Sequence, residues 1–318
     1  MKITVLDGYG LNPGDLSWQG FEELGQLTVF DRTAPFQLLE RAKDSEVLIT
    51  NKTVIDSEAL QKLPNLRYIG VLATGYNVVD IEEARRKGVI VTNIPAYSTM
   101  SVAQHVFAML LGVTDRPEHY SIEVAYGKWT QSKDFCFWNT DLTELAGKKF
   151  GVIGYGNIGR AVARIALAFG MKVMAFTSKD ASELPEGVEK VTLDKLYECC
   201  DVISLHCPLT PSTKEMINTD SISKMKKGVI LINTGRGPLV DEKAVADALK
   251  SGRLGAYCAD VLSTEPPKTD NPLIGAPNAY ITPHIAWATK EARNRLMDIA
   301  VSNLRRFLEG KPENVVSC

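Results

Sequence analysis

The sequence predicts an α/β protein built as two doubly wound parallel-sheet units, and three observations carry that reading. Short β-rich runs alternate with amphipathic helical runs in two separate blocks, residues 1–93 and 150–287. Such alternation implies parallel strands with helices on both faces. The 318-residue length suits about two domains. The 45% hydrophobic and 23% charged content is that of a globular chain, not of a disordered or low-complexity one.

In the first block the strand candidates are Ile3–Leu6, Leu27–Phe30, Val47–Ile49, Tyr68–Leu72 and Ile90–Thr92. Helical stretches such as Phe36–Ala42 and Ile81–Arg86 lie between them. Asp56 and Asp80 stand where N-caps belong, and Gly88 where a C-cap belongs. The second block has strands at Phe150–Ile153, Lys172–Phe176, Val202–Leu205, Val229–Ile232, Ala256–Ala259 and Ala279–Thr282. Its helical runs include Ala161–Phe169, Leu193–Tyr197 and Lys243–Ser251. Ser101–Gly112 reads as an apolar helix bridging the blocks, and 114–149 as a polar connector carrying aromatics. Lys290–Leu308 reads as a final helix returning to the first block. The expected division is 1–100 with 288–318, and 101–287.

Several function classes are excluded early. With 36 Lys+Arg against 38 Asp+Glu the net charge is −2, so the chain as a whole is no cationic surface for nucleic acid or anionic lipid. The most apolar helical stretch, Val102–Val113, is interrupted by Gln104 and His105 and falls far short of the ~20 residues that span a bilayer. The opening residues read as a β-strand that meets Asp7 at once, not as a signal peptide. Cys136, Cys199, Cys200, Cys207, Cys258 and Cys318 show neither disulfide-framework nor zinc spacing. The expectation is reduced thiols, no metal, and a cytoplasmic protein.

The strand Phe150–Ile153 runs into Gly154-Tyr155-Gly156-Asn157-Ile158-Gly159 and then into a helical run. Glycines at this spacing permit a tight turn, close approach of main chain to a pyrophosphate, and close helix–strand packing. Exposed N–H groups and the helix dipole favour the anion. The position about 20 residues on, where a carboxylate grips the ribose hydroxyls of NAD, is Thr177, followed by Ser178 and Lys179. A threonine there removes the repulsion against a 2′-phosphate. The choice between NAD and NADP therefore stays open, with a small preference for NAD.

Three polar residues stand at or just beyond strand ends in the second block, where open α/β sheets place their ligands. They are Arg236 in Asn233-Thr234-Gly235-Arg236-Gly237, Glu265 before Pro266-Pro267, and His284 in Thr282-Pro283-His284-Ile285-Ala286-Trp287. Arginine grips a carboxylate bidentately and stays charged. Histidine moves a hydroxyl proton near neutral pH. A carboxylate beside the histidine fixes its tautomer and favours the imidazolium. Singly, each residue has an ordinary structural reading; together, downstream of a nucleotide loop, they make a catalytic set.

With these motifs in order, the chain resembles the D-isomer-specific 2-hydroxyacid dehydrogenases over essentially its full length, from Ala73-Thr74-Gly75-Tyr76-Asn77 through His284. Pro95–Gln104, Phe135-Cys136-Phe137-Trp138 and His284-Ile285-Ala286-Trp287 resemble the glycerate dehydrogenase (hydroxypyruvate reductase) branch of that family in particular. The resemblance implies a Rossmann-type cofactor domain over 101–287 and a flavodoxin-like substrate domain over the rest. It implies that Arg236 holds the substrate carboxylate, that His284 exchanges a proton with the reacting oxygen, and that Glu265 bonds His284. It further implies Asn157 and Ile158 on the pyrophosphate and Cys207-Pro208 near the adenosine. Thr234, Gly235, Asp260 and Ala286 should stand at the cofactor, Asp260 beside the nicotinamide. The Ala73-Thr74-Gly75 loop should face the substrate carboxylate. The implied activity is hydride transfer between NAD or NADP and a 2-keto or 2-hydroxy acid, hydroxypyruvate or glyoxylate first. The alternatives are another 2-hydroxyacid dehydrogenase, such as the phosphoglycerate enzyme, or a nucleotide-sensing corepressor-like binding protein. A homodimer through Val102–Val113 and the connector aromatics is also implied.

Overall fold

The computed structural model describes residues 1–317, so the thiol expected at Cys318 lies outside the described residues. The chain divides into two compact units, Met1–Ser98 with Ala288–Cys318, and Thr99–Trp287.

The first unit is a five-stranded parallel sheet of β1 (Lys2–Val5), β2 (Gln26–Val29), β3 (Val47–Thr50), β4 (Tyr68–Val71) and β5 (Ile90–Thr92). Its order, β2-β1-β3-β4-β5, is that of flavodoxin-like sheets. The central strands β3 and β4 are buried along their whole length, as unbroken apolar runs in a parallel sheet should be. Four short helices connect the strands: α1 (Gln19–Glu22), α2 (Leu38–Ala42), α3 (Ser57–Gln61) and α4 (Ile81–Arg86). Asp56 and Asp80 cap α3 and α4, accepting from Ala59 N at 2.9 Å and Glu83 N at 3.0 Å. The C-terminal helix, Lys290–Leu308, returns to this unit, where Phe307 lies 4.9 Å from the buried ring of Tyr68. Beyond it Val316 N donates to Val91 O and Ser317 Oγ accepts from Val91 N, so the tail covers the free edge of β5.

The second unit is a seven-stranded parallel sheet: β6 (Lys149–Ile153), β7 (Lys172–Phe176), β8 (Val188–Lys190), β9 (Val202–Leu205), β10 (Val229–Asn233), β11 (Leu254–Ala259) and β12 (Ala279–Ile281). The order β12-β11-β10-β9-β6-β7-β8 is, counted within the unit, 3-2-1-4-5-6 with a seventh strand added, the Rossmann arrangement. The direction of winding reverses between β6 and β9. Its helices are α5 (Thr99–Thr114), α6 (Pro117–Ala125), α7 (Asn157–Ala168), α8 (Leu193–Cys199), α9 (Thr219–Lys224) and α10 (Glu242–Lys250).

Two expectations change here. The apolar helix α5 lies in the second unit, as the expected division has it, and there Val102, Ala103, Val106, Phe107 and Leu110 are buried. Phe107 stacks between Phe150 and Phe169, with ring centroids 5.9 and 5.3 Å away, so this apolar face is core and not open surface. The connector 114–149 contains the helix α6, entered through Pro117 in its first turn. Its mixed polar and aromatic sequence shows no apolar stripe, and none of its residues is buried. Strand β8 escaped sequence reading because only Val188 of its three residues is apolar. Among the described residues no helix is long and apolar enough to cross a membrane.

Candidate active site

One line of cross-strand register organises the second unit. Phe176, Ile153, Leu205, Asn233, Ala259 and Ile281 are successive partners across β7, β6, β9, β10, β11 and β12. Each functional position expected in this unit lies within a few residues of this line. Thr177 and Gly154 follow β7 and β6, Cys207 follows β9, and Thr234–Arg236 follow β10. Asp260 with Glu265 follows β11, and His284 follows β12. Parallel pairing thus brings together segments as much as 130 residues apart.

At the start of α7 the three glycines have distinct surroundings. Gly154 adopts φ +96°, and a Cβ there would stand 2.5 Å from Cys207 N. A Cβ on Gly159 would overlap the carbonyl oxygen of Gly154 and press 3.2 Å from Val152 Cγ1. A Cβ on Gly156 would meet nothing within 4 Å. The first and third glycines are therefore required by the protein's own packing. The second leaves open space in front of the first-turn N–H groups, which have no acceptor within the helix. Gly156 as N-cap supplies no side-chain acceptor. This cradle fits a pyrophosphate.

Next to it, Ser204 Oγ lies 2.8 Å from His206 Nε2. Burial pushes the His206 imidazole down to about 4, so it is neutral near pH 7. Burial likewise raises the Cys207 thiol, whose Sγ lies 3.7 Å from Met216 Sδ. Pro208 O accepts from Thr213 Oγ1 at 2.7 Å. At the end of β7 no carboxylate replaces Thr177, whose Oγ1 accepts from Lys179 N at 3.2 Å. Lys190 Nζ on β8 donates to Lys179 O, leaving two ammonium groups in this corner. Glu183 pairs with Lys179 at 3.2 Å.

His284 Nδ1 lies 2.6 Å from Glu265 Oε2, and Glu265 Oε1 accepts from Leu262 N at 3.0 Å. The carboxylate is thus held on one side by its own loop and on the other by the imidazole. Since a carboxylate accepts, Nδ1 carries the hydrogen, and Nε2 is left for another partner. His284 adopts φ +55°, a left-handed conformation that is costly for a bulky residue. Arg236 is exposed, with Nη1 donating to Gly235 O at 2.8 Å. Its turn is shaped by the buried Asn233, which donates to Arg236 O (2.9 Å) and accepts from Gly235 N (3.1 Å). Thr234 Oγ1 is buried with no hydrogen-bond partner among the described residues.

Asp260 and Ala286, expected at the cofactor, are both tied into the loop that carries His284. Asp260 is 1% exposed, and its carboxylate takes Thr282 Oγ1 (2.6 Å), Ile285 N (2.8 Å) and Ala286 N (2.8 Å). Ala286 O accepts from Ser101 Oγ on α5 at 2.5 Å. Both residues hold the His284 loop. Ser101, His105 and Thr282, which share this work, were not singled out in the sequence; the only signal was the polar pair Gln104–His105 interrupting an apolar helix.

In the other unit, Ala73, Thr74 and Gly75 follow β4. Thr74 Oγ1 donates to Ile94 O (2.9 Å), Asn93 Nδ2 donates to Thr74 O (2.7 Å), and Ile94 N donates to Ala73 O (3.0 Å).

Residues 107–286, the stretch containing every strand-end site of the second unit, match the NAD binding domain of the D-isomer specific 2-hydroxyacid dehydrogenases. The chain belongs to that family. It is accordingly an oxidoreductase with a dinucleotide-binding unit. It is 52% identical over 321 residues to the hydroxypyruvate reductase of Blautia hydrogenotrophica, covering 100% of both chains. Among solved structures it is similar to D-lactate dehydrogenase of Aquifex aeolicus complexed with NAD and lactic acid (TM-score 0.83, 31% identity, 100% and 99% of the two chains). It is equally similar to an acyclic imino acid reductase complexed with NADPH and D-Arg (TM-score 0.84, 32% identity, 99% and 100%). Structural neighbours are thus seen with either dinucleotide.

Proposed function

We propose that the chain reduces hydroxypyruvate and glyoxylate to D-glycerate and glycolate with NADH or NADPH, and that it catalyses the reverse reaction. The observation that carries this reading is the His284–Glu265 pair on the strand-end line that also bears the glycine cradle. The full-length likeness to a hydroxypyruvate reductase supports the choice of substrate.

The main chain of Gly154–Gly159 holds the pyrophosphate. Cys207, Pro208, Thr234 and Gly235 line the path along the strand ends, and Thr177 meets the ribose. The bound reduced dinucleotide supplies the hydride. Arg236 grips the substrate carboxylate. His284 gives the proton on Nε2 to the keto oxygen as the carbon is reduced, and takes it back in the oxidative direction. Glu265 holds the imidazole in that tautomer. Asp260 and Ala286 serve the reaction by fixing the loop that carries His284.

The same proposal includes a homodimer formed through the α6 segment and the chain after it. Tyr126, Phe135 and Trp138 are 85%, 89% and 70% exposed there, an apolar surface of the kind that marks interfaces. A light-scattering mass of one chain, 34.9 kDa, would reject the dimer. Residence in the cytoplasm rests on the cysteine usage of the sequence.

The test is loss of nicotinamide absorbance when hydroxypyruvate or glyoxylate is added with each reduced cofactor. His284→Ala should lower kcat by about 10²–10⁴-fold while NADH still binds. Retention of kcat by that variant would falsify the proton-transfer role.

A further inference from the structure

We propose that His105, on the second turn of α5, is a positioning residue for the proton-transfer loop, acting on His284 through Thr282 and Asp260. The proposal rests on the reading of His284 as the proton donor. His105 Nε2 lies 2.9 Å from Thr282 Oγ1 and 3.6 Å from Asp260 Oδ1. Thr282 Oγ1 lies 2.6 Å from Asp260 Oδ1.

The direction of these bonds follows from their partners. A carboxylate already taking two main-chain N–H groups only accepts, so the single hydroxyl hydrogen of Thr282 points at Asp260. The hydroxyl oxygen then accepts from its other neighbour, and His105 Nε2 carries that hydrogen. His105 is thereby the end of a one-way chain of donors: imidazole to hydroxyl, hydroxyl to carboxylate. The carboxylate in turn gathers the N–H groups of Ile285 and Ala286, the two residues after His284.

This chain has something to hold in place. A non-glycine residue kept in the left-handed region is strained and persists only where its surroundings over-determine it. His284 at φ +55° is such a residue. Its own N–H donates to Thr282 O at 3.0 Å, and Asp260 fixes the next two amides. Ser101 Oγ fixes the carbonyl of Ala286. Ser101 and His105 are four residues apart and so share one face of α5. The helix thus grips the loop at two points, one direct and one through Thr282. Loss of the His105 donor leaves the Thr282 hydroxyl with one partner fewer and removes an α5 side chain that stands 3.6 Å from the Asp260 carboxylate.

The test compares wild type with His105→Ala and His105→Gln, and with the near-isosteric pair Thr282→Val and Thr282→Ser. A reacting group displaced by a fraction of an ångström to one ångström loses roughly 10–100-fold in rate. His105→Ala and Thr282→Val should lose kcat on that scale with NADH affinity, read by fluorescence, unchanged. Glutamine, which offers an N–H donor, and serine, which keeps the hydroxyl, should recover most of it. A purely space-filling role predicts instead that alanine and glutamine at 105 lower thermal stability and kcat alike, and that valine is harmless at 282. Either result overturns the proposal, and the pair at 282 decides it if His105→Ala does not fold. A wild-type chain that reduces no 2-oxo acid removes the functional reading itself. An active wild type with an equally active His105→Ala removes only this inference.

Discussion

Two alanine substitutions three residues apart separate what the glycine loop does for the fold from what it does for the cofactor. At Gly156 the backbone is extended, φ −79° and ψ −159°, and a Cβ meets no protein atom within 4 Å. Alanine is conformationally at ease there and lowers the entropy of the unfolded chain, so stability should stay level or rise by about 0.4–1 kcal/mol. The same methyl stands in the space a pyrophosphate would fill. Displacing the anion weakens charge-assisted bonds worth about 1.5–3 kcal/mol each, so NADH affinity should fall at least about tenfold. At Gly159 the Cβ falls more than an ångström inside contact with Gly154 O and has Val152 Cγ1 at 3.2 Å on its other side. Helix α7 must then move off β6, at a cost of about 1–3 kcal/mol. For a unit of this size that is about 2–12 °C in the melting of the nucleotide-binding half. NADH affinity falls as well, because the first-turn amides move with the helix. Scanning calorimetry with NADH fluorescence titration reads both quantities. Equal NADH affinity in Gly156→Ala and wild type would place the pyrophosphate elsewhere, and an unshifted melt for Gly159→Ala would disprove the close helix–strand approach.

Three further outcomes are expected. Glu265→Gln should keep its bond from Leu262 N but turn an N–H toward His284 Nδ1, forcing the other tautomer; kcat should fall by roughly 10–100-fold with NADH affinity intact, and an unchanged kcat would remove Glu265 from the mechanism. Thr177→Asp should raise KM for NADPH by about tenfold while sparing NADH, since a carboxylate roughly 5 Å from a doubly charged phosphate costs about 1.6 kcal/mol even in water; equal effects on both cofactors would move the ribose away from Thr177. His206, depressed from 6.5 to about 4 by burial, binds its proton less readily folded than unfolded. Its neutral form therefore adds stability above pH 6.5 that is lost as pH falls toward 4, up to about 3 kcal/mol. Urea melts of wild type and His206→Gln at pH 7 and pH 4.5 should show their difference shifting in favour of glutamine at the lower pH, and a pH-independent difference would contradict the burial argument.

Much of the site was readable before any coordinates, for a physical reason. In a parallel α/β unit the ligand end of the sheet is the carboxyl end of every strand, so Gly154, Thr177, Arg236 and His284 announce themselves by following apolar runs. Helix α6 did not, because an exposed helix with no buried face leaves no periodic signal to read. The apolar residues of α5 pointed to burial but not to the side they would meet. Phe107 between Phe150 and Phe169 supplies that answer.

The sequence by itself determined the alternation of strands and helices, the nucleotide loop and the identities of the arginine, carboxylate and histidine, because each is written in contiguous residues with local geometric demands. Only the tertiary structure decided how the histidine is held. Ser101 and Ala286 are 185 positions apart and His105 and Thr282 are 177 apart, and no local pattern records which pairs will meet. Asp260 shows the difference most clearly: the family resemblance placed it at the site, while its 1% exposure and the loop donors around it, which tie it to the His284 loop, came only with the fold.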